Sequence, residues 1–229
     1  MVHLDAGRII EALAVTSTLV DRDGASAQSQ EAHALVLLAE AARLDGLDQS
    51  EQATFSRHSA LNCYQIACSV STKPQLLQLS TAQLAQMLNE DEIARHYYKL
   101  AHENVPIDSR AAFFLAQMHM LQEEWDEAKS WIDASLQRNK YEPFALLSSA
   151  LIEAQLGNLD EANKIARQGC AIRPNDPNLR LIQARVMRLS GNPNRALEIL
   201  GILPLEFRDS PIAKEERSLC IAGMEGAKQ

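Results

Sequence analysis

The chain has 229 residues, with 22 basic against 30 acidic side chains and a net charge of −8. That balance argues against nucleic-acid binding, which needs a basic face, and no stretch approaches the run of about 18 apolar residues that a membrane span requires. The start, Met1 to Arg8, lacks the basic region, apolar core and cleavage site of a secretory signal, and no segment reads as a run of strands, so an all-α chain is expected.

In chain order, Ile9, Ile10, Leu13, Ala14 and Leu19 have near-helical spacing and predict an N-terminal helix over 4–20, ended by Asp21 to Gly24. Residues 1–28 are read as a cap. A second helix runs from Gln28 to Arg43, and Leu44 to Ser50 read as a loop. Residues 29–74 then form a divergent first repeat with a lengthened connection, because Ala39 falls short of its expected place while Ala60 and Tyr64 are in phase with the later repeats.

From residue 75 to 209 the sequence is periodic, giving four helix pairs of which the last is short. Ala60, Ala94, Ala128, Ala162 and Ala196 recur at one constant step, and Ala82, Ala116, Ala150 and Ala184 keep the same step. Paired antiparallel helices approach to about 8–10 Å only where small side chains meet, which explains both series. Pro143, Pro177 and Pro211 repeat in the same rhythm and start helices, with Asp176 and Ser210 ahead of two of them as N-caps. Gly157 and Gly191 mark tight turns within pairs, and Asn89 and Glu123 take that place earlier. Residues 210–229 are a C-terminal helix, either a half repeat or a cap. Its Ile212, Leu219, Cys220 and Met224 are expected to bury one face. The next second-helix alanine would fall at position 230, which favours a piece of a longer protein.

Leu115-Ala116, Trp125, Ala128, Ile132 and Leu136, and again Ala150, Gly157, Ala162 and Pro174, resemble the tetratricopeptide repeat, whose period is about 34 residues. The resemblance runs from about residue 50 to the end, although the family's large aromatic near the start of the first helix is absent. It implies a right-handed α-α superhelix of antiparallel helix pairs whose first helices line a concave groove. By register, the groove positions hold Leu79, Gln83, Arg110, Phe113, Phe114, Gln117, Met120, Phe144, Leu147, Leu151, Arg185 and Arg188. A large apolar patch in such a groove marks a binding site. The family's carboxylate clamp for acidic tails is not matched, since its positions carry Leu79, Gln83 and Phe113. Arg185 and Arg188, three apart on one helix, are the pair that resembles an anion grip.

No nucleophile, phosphate-loop or zinc motif is present. His33, His58, His96, His102 and His119 lie on predicted helices, and His119 reads as packing. Cys63, Cys68, Cys170 and Cys220 lack metal-ligand spacing and read as small core residues of a reducing compartment. No cofactor or metal is expected. The leading reading is a non-catalytic cytoplasmic, bacterial scaffold that binds a protein, peptide or amphipathic helix in its groove, with no nucleic acid or membrane partner. Two alternatives stand beside it: the N-terminal repeat region of a sulfotransferase or glycosyltransferase, and a scaffold that self-associates through its C-terminal end.

Overall fold

The computed structural model describes residues 6–23 and 26–226. Among them the chain forms thirteen helices and no strand, in two compact units that divide after Val105. Among the described residues no helix is long and apolar enough to cross a membrane.

The first unit contains α1 (Ala6–Asp23), α2 (Ala27–Asp45), α3 (Ser50–Val70), α4 (Gln75–Met87) and α5 (Asp91–Asn104). Ser26 caps α2 by accepting a hydrogen bond from the Ser29 N–H at 3.2 Å. Thr16 of α1 meets the His33 ring of α2 at 2.8 Å. Helix α1 continues to Asp23, past the predicted stop; Leu4, Asp5 and Gly24, which the sequence places at its ends, lie outside the described residues. The lengthened loop is also corrected. The α2–α3 connection is Gly46 to Gln49, only slightly longer than the Leu88–Glu90 turn; the extra length lies in helices of 19 and 21 residues. Buried Ala34, Ala41, Ala53, Ala60 and Ala67 make a long seam of small residues, so the pair stays in close contact beyond the usual length.

The second unit contains α6 (Arg110–Leu121), α7 (Trp125–Arg138), α8 (Pro143–Gln155), α9 (Leu159–Ile172), α10 (Pro177–Leu189), α11 (Pro193–Gly201), the single turn α12 (Leu205–Arg208) and α13 (Pro211–Gly226). The pairs are α6 with α7, α8 with α9, and α10 with α11. Pro143 and Pro177 occupy first turns whose N–H groups have no helical partner. Asp176 accepts from the N–H groups of Asn178 and Leu179, and Ser210 Oγ accepts from Ala213.

All nine alanines of the two series are fully buried: Ala60, Ala82, Ala94, Ala116, Ala128, Ala150, Ala162, Ala184 and Ala196. A third series of the same step is Ala67, Ala101, Ser135, Gly169 and Leu203. Gly169 shows why this place is tight, since a Cβ there would lie 3.1 Å from Leu147 Cγ and 3.3 Å from the Pro143 carbonyl oxygen. The five turns within pairs share one geometry. Asp48, Asn89, Glu123, Gly157 and Gly191 all have positive φ, between 58° and 84°. In each turn the next N–H donates to the carbonyl five residues back, at 2.8–3.0 Å, from Gln49, Glu90, Glu124, Asn158 and Asn192. This closes the first helix by satisfying carbonyls that the helix itself leaves open.

Candidate functional site

The first helices of the second unit, α6, α8 and α10, are consecutive neighbours, and α13 follows against α10. On α6, Phe113 and Phe114 are half-buried, with ring centroids 5.6 Å apart at 62°, an edge-to-face pair. Phe113 and Met120 pack one side against Ala116, Ile132, Ala145 and Ile152. Phe144 and Leu151 of α8 are half-buried against the larger core around Ala150 and Ala184. Gln117 lies among these at intermediate exposure. Arg110 at the helix start is exposed and ties back to Asp108 at 2.6 Å, which holds that carboxyl below its ordinary value.

The register misses one residue of this face. Leu121, next to Met120, is 81% exposed; it stands one period after Met87 of α4, itself 66% exposed. The recurrence of an apolar residue at 87 and 121 is the signal in the sequence that could have found it. In the first unit, Leu79 is half-buried and Gln83 exposed on α4. Gln86 there accepts a hydrogen bond from Tyr98 Oη at 2.7 Å.

Two groove assignments are corrected. Leu147 is fully buried, because glycine at position 169 of α9 lets its side chain sink between α8 and α9. It is core, not binding surface. Arg185 and Arg188 do grip a carboxylate, but it is this chain's own Glu216 on α13. Arg185 Nε lies 3.3 Å from Glu216 Oε2, and Arg188 donates through Nε to Oε1 and through Nη2 to Oε2. Glu216 is only 1% exposed, so the two arginines neutralise a charge that would otherwise be costly to bury. The pair is not a free anion site. The buried face of α13 accordingly runs through Ala213, Glu216 and Cys220, while Ile212 and Leu219, expected inside, are exposed.

The other titratable groups near this face are structural. His119 Nδ1 meets Glu124 Oε2 at 2.6 Å across the α6–α7 turn. Glu153 of α8 is buried, which pushes its carboxyl up, but Lys129 at 2.7 Å and Asn158 pull it lower overall. All four cysteines are free thiols, pushed up by burial. Among the described residues no cluster of His, Cys, Asp and Glu has the grouping to hold a metal ion.

Solved structures that the chain matches along most of its length include tetratricopeptide-repeat proteins. The chain has the tetratricopeptide-repeat fold. It aligns with pilF of Pseudomonas aeruginosa at a TM-score of 0.65 and 16% identity, covering 93% of this chain and 90% of that one. It aligns with a tetratricopeptide-repeat protein of Parabacteroides merdae at a TM-score of 0.59 and 20% identity, covering 96% and 92%. YrrB, described as a TPR protein with an unusual peptide-binding site, matches at a TM-score of 0.57 and 13% identity, covering 95% and 100%. No family model and no curated protein matches the sequence.

Proposed function

We propose that the second unit is a non-catalytic protein-interaction module that holds an extended peptide or amphipathic helix on the face of α6 and α8. The observation that carries this reading is the apolar face itself: the half-exposed Phe113–Phe114 pair, with Phe144 and Leu151, beside the exposed Leu121. An apolar surface of that kind, rimmed by Arg110 and Gln117, is what a peptide's apolar anchors use. YrrB, of similar fold, is described as having a peptide-binding site, which lends general support. Free thiols favour a reducing compartment, and we place the protein in the cytoplasm on that ground.

The test is a pair of binding measurements on a partner captured by the wild-type chain. Phe113→Ala should weaken binding by about 1–3 kcal/mol while leaving helicity and melting temperature near wild type. Loss of fold with affinity spared would make Phe113 a core residue and defeat the reading.

One observation favours self-association as a second activity. Ser218 is exposed, while its equivalents Ala82, Ala116, Ala150 and Ala184 are each covered by a paired helix. Ile212, Leu219 and Ile221 are exposed beside it. Sedimentation over a concentration series should show a dimer that Leu219→Lys abolishes, and a strictly monomeric protein would remove this second reading.

A further inference from the structure

Elsewhere in the second unit, α9 and α11 flank a cleft of about 560 Å³ over α10. Its walls carry Arg167, Arg180 and Arg195 with one carboxylate, Glu198, and Gln183, and its apolar part is Met187, Ile199 and Ile202. The repeat itself shows how unusual this is. One period earlier, the three arginine positions hold Asp133, Leu146 and Glu161. One period before Arg180 and Gln183, Leu146 and Ser149 are buried and leave no opening over α8. Polar side chains at 180 and 183 stay only half-buried, so here the seam opens and its charge is inverted.

Arg195 is paired with Glu198 on its own helix. Arg167 and Arg180 have no carboxylate within ion-pair distance among the described residues. Guanidinium groups offer planar, paired donors that match carboxylates, and the match is stronger where the site is partly shielded from water. A chain of net charge −8 that gathers three arginines in one cleft has placed them against its own average. Ile202 is exposed at the rim and Met187 and Ile199 are buried below. A bare anion would use the arginines and leave Ile202 in water.

We infer that the α9–α11 cleft is a second binding site, for an acidic peptide segment whose carboxylates meet Arg167 and Arg180 while a neighbouring aliphatic side chain covers Ile202. The site is separate from the α6–α8 face and does not rest on that reading.

The experiment uses the full chain and a fluorescein-labelled synthetic peptide of alternating glutamate and leucine, followed by anisotropy. Saturable binding is expected, falling steeply as salt rises. Arg180→Glu should weaken it at least tenfold, and so should Arg167→Glu, whose exposed position leaves the fold intact. Phe113→Ala should leave it unchanged, which separates this site from the face of α6 and α8. A peptide with serine in place of leucine should bind several-fold more weakly. Three results would overturn the inference: no binding, binding indifferent to both charge reversals, or displacement by inorganic phosphate at concentrations equal to the peptide's.

Discussion

Two stretches of the second unit occupy the same register and differ in what meets them. On α6, Gln117 and Met120 sit half-exposed beside an apolar pair of rings. Two periods later, on α10, the equivalent residues are Arg185 and Arg188, and Glu216 of α13 lies against them. Register tells which way a side chain points. It does not tell whether the chain itself supplies a partner. A buried carboxylate demands cations, so the α10 stretch is closed from within. Half-exposed rings make no such demand, and the Phe113–Phe114 pair stays half-exposed.

The comparison can be broken first at its core. Leu147 shares its register position with Phe113 but is fully buried, so Leu147→Ala should cost about 2–5 kcal/mol of stability in a denaturant titration. The same change at Phe113 should cost far less stability and act on binding instead.

The closed stretch gives the next largest effect, and an asymmetric one. Arg188→Ala leaves Glu216 buried with Arg185 alone, and should cost about 3 kcal/mol. Glu216→Gln removes the charge and leaves two arginines that can turn to water, so it should cost clearly less. Equal losses in the two variants would show that Glu216 is not buried as described.

A smaller effect sharpens the description of the turns. Glu123 holds a φ of 59° where later repeats have glycine. Glu123→Gly should raise stability, by up to about 1 kcal/mol, by relieving the left-handed strain of a residue with a Cβ. Gly157→Ala should lower it by a similar amount. Thermal melts of the two variants should move in opposite directions.

The smallest effect is one of pH. Hydrogen bonding from Arg110 holds the Asp108 carboxyl below its ordinary value. That contribution is complete above the ordinary carboxylate range and is lost as pH falls through the depressed value. Asp108→Asn should therefore lower the neutral plateau of melting temperature slightly and flatten the acid limb, with the two proteins converging at low pH.

Much of the fold is legible in the sequence because its constraints recur on identical residue types. The two alanine series read directly, and the left-handed turns are visible where they carry Gly157, Gly191 and Asn89. The third small series escapes because its members change from Ala101 to Ser135, Gly169 and Leu203, one place filled by different volumes. Register misplaces Leu147 for a related reason: its burial depends on Gly169, on the facing helix. Arg185 and Arg188 are legible as a carboxylate grip. The identity of the carboxylate is not, because an apolar reading of α13 puts Ile212 and Leu219 inside and leaves no reason to bury Glu216. The basic cleft is hidden altogether, since it depends on three arginines brought together from three different helices.

The most direct test is hydrogen exchange on the full chain, free and with its captured partner bound. Protection should rise over Arg110–Leu121 and Pro143–Gln155, with Pro177–Leu189 and Pro211–Gly226 unchanged. New protection confined to the second helices, or a loss of protection over Pro211–Gly226 on binding, would contradict an open α6–α8 face beside a closed α10–α13 one.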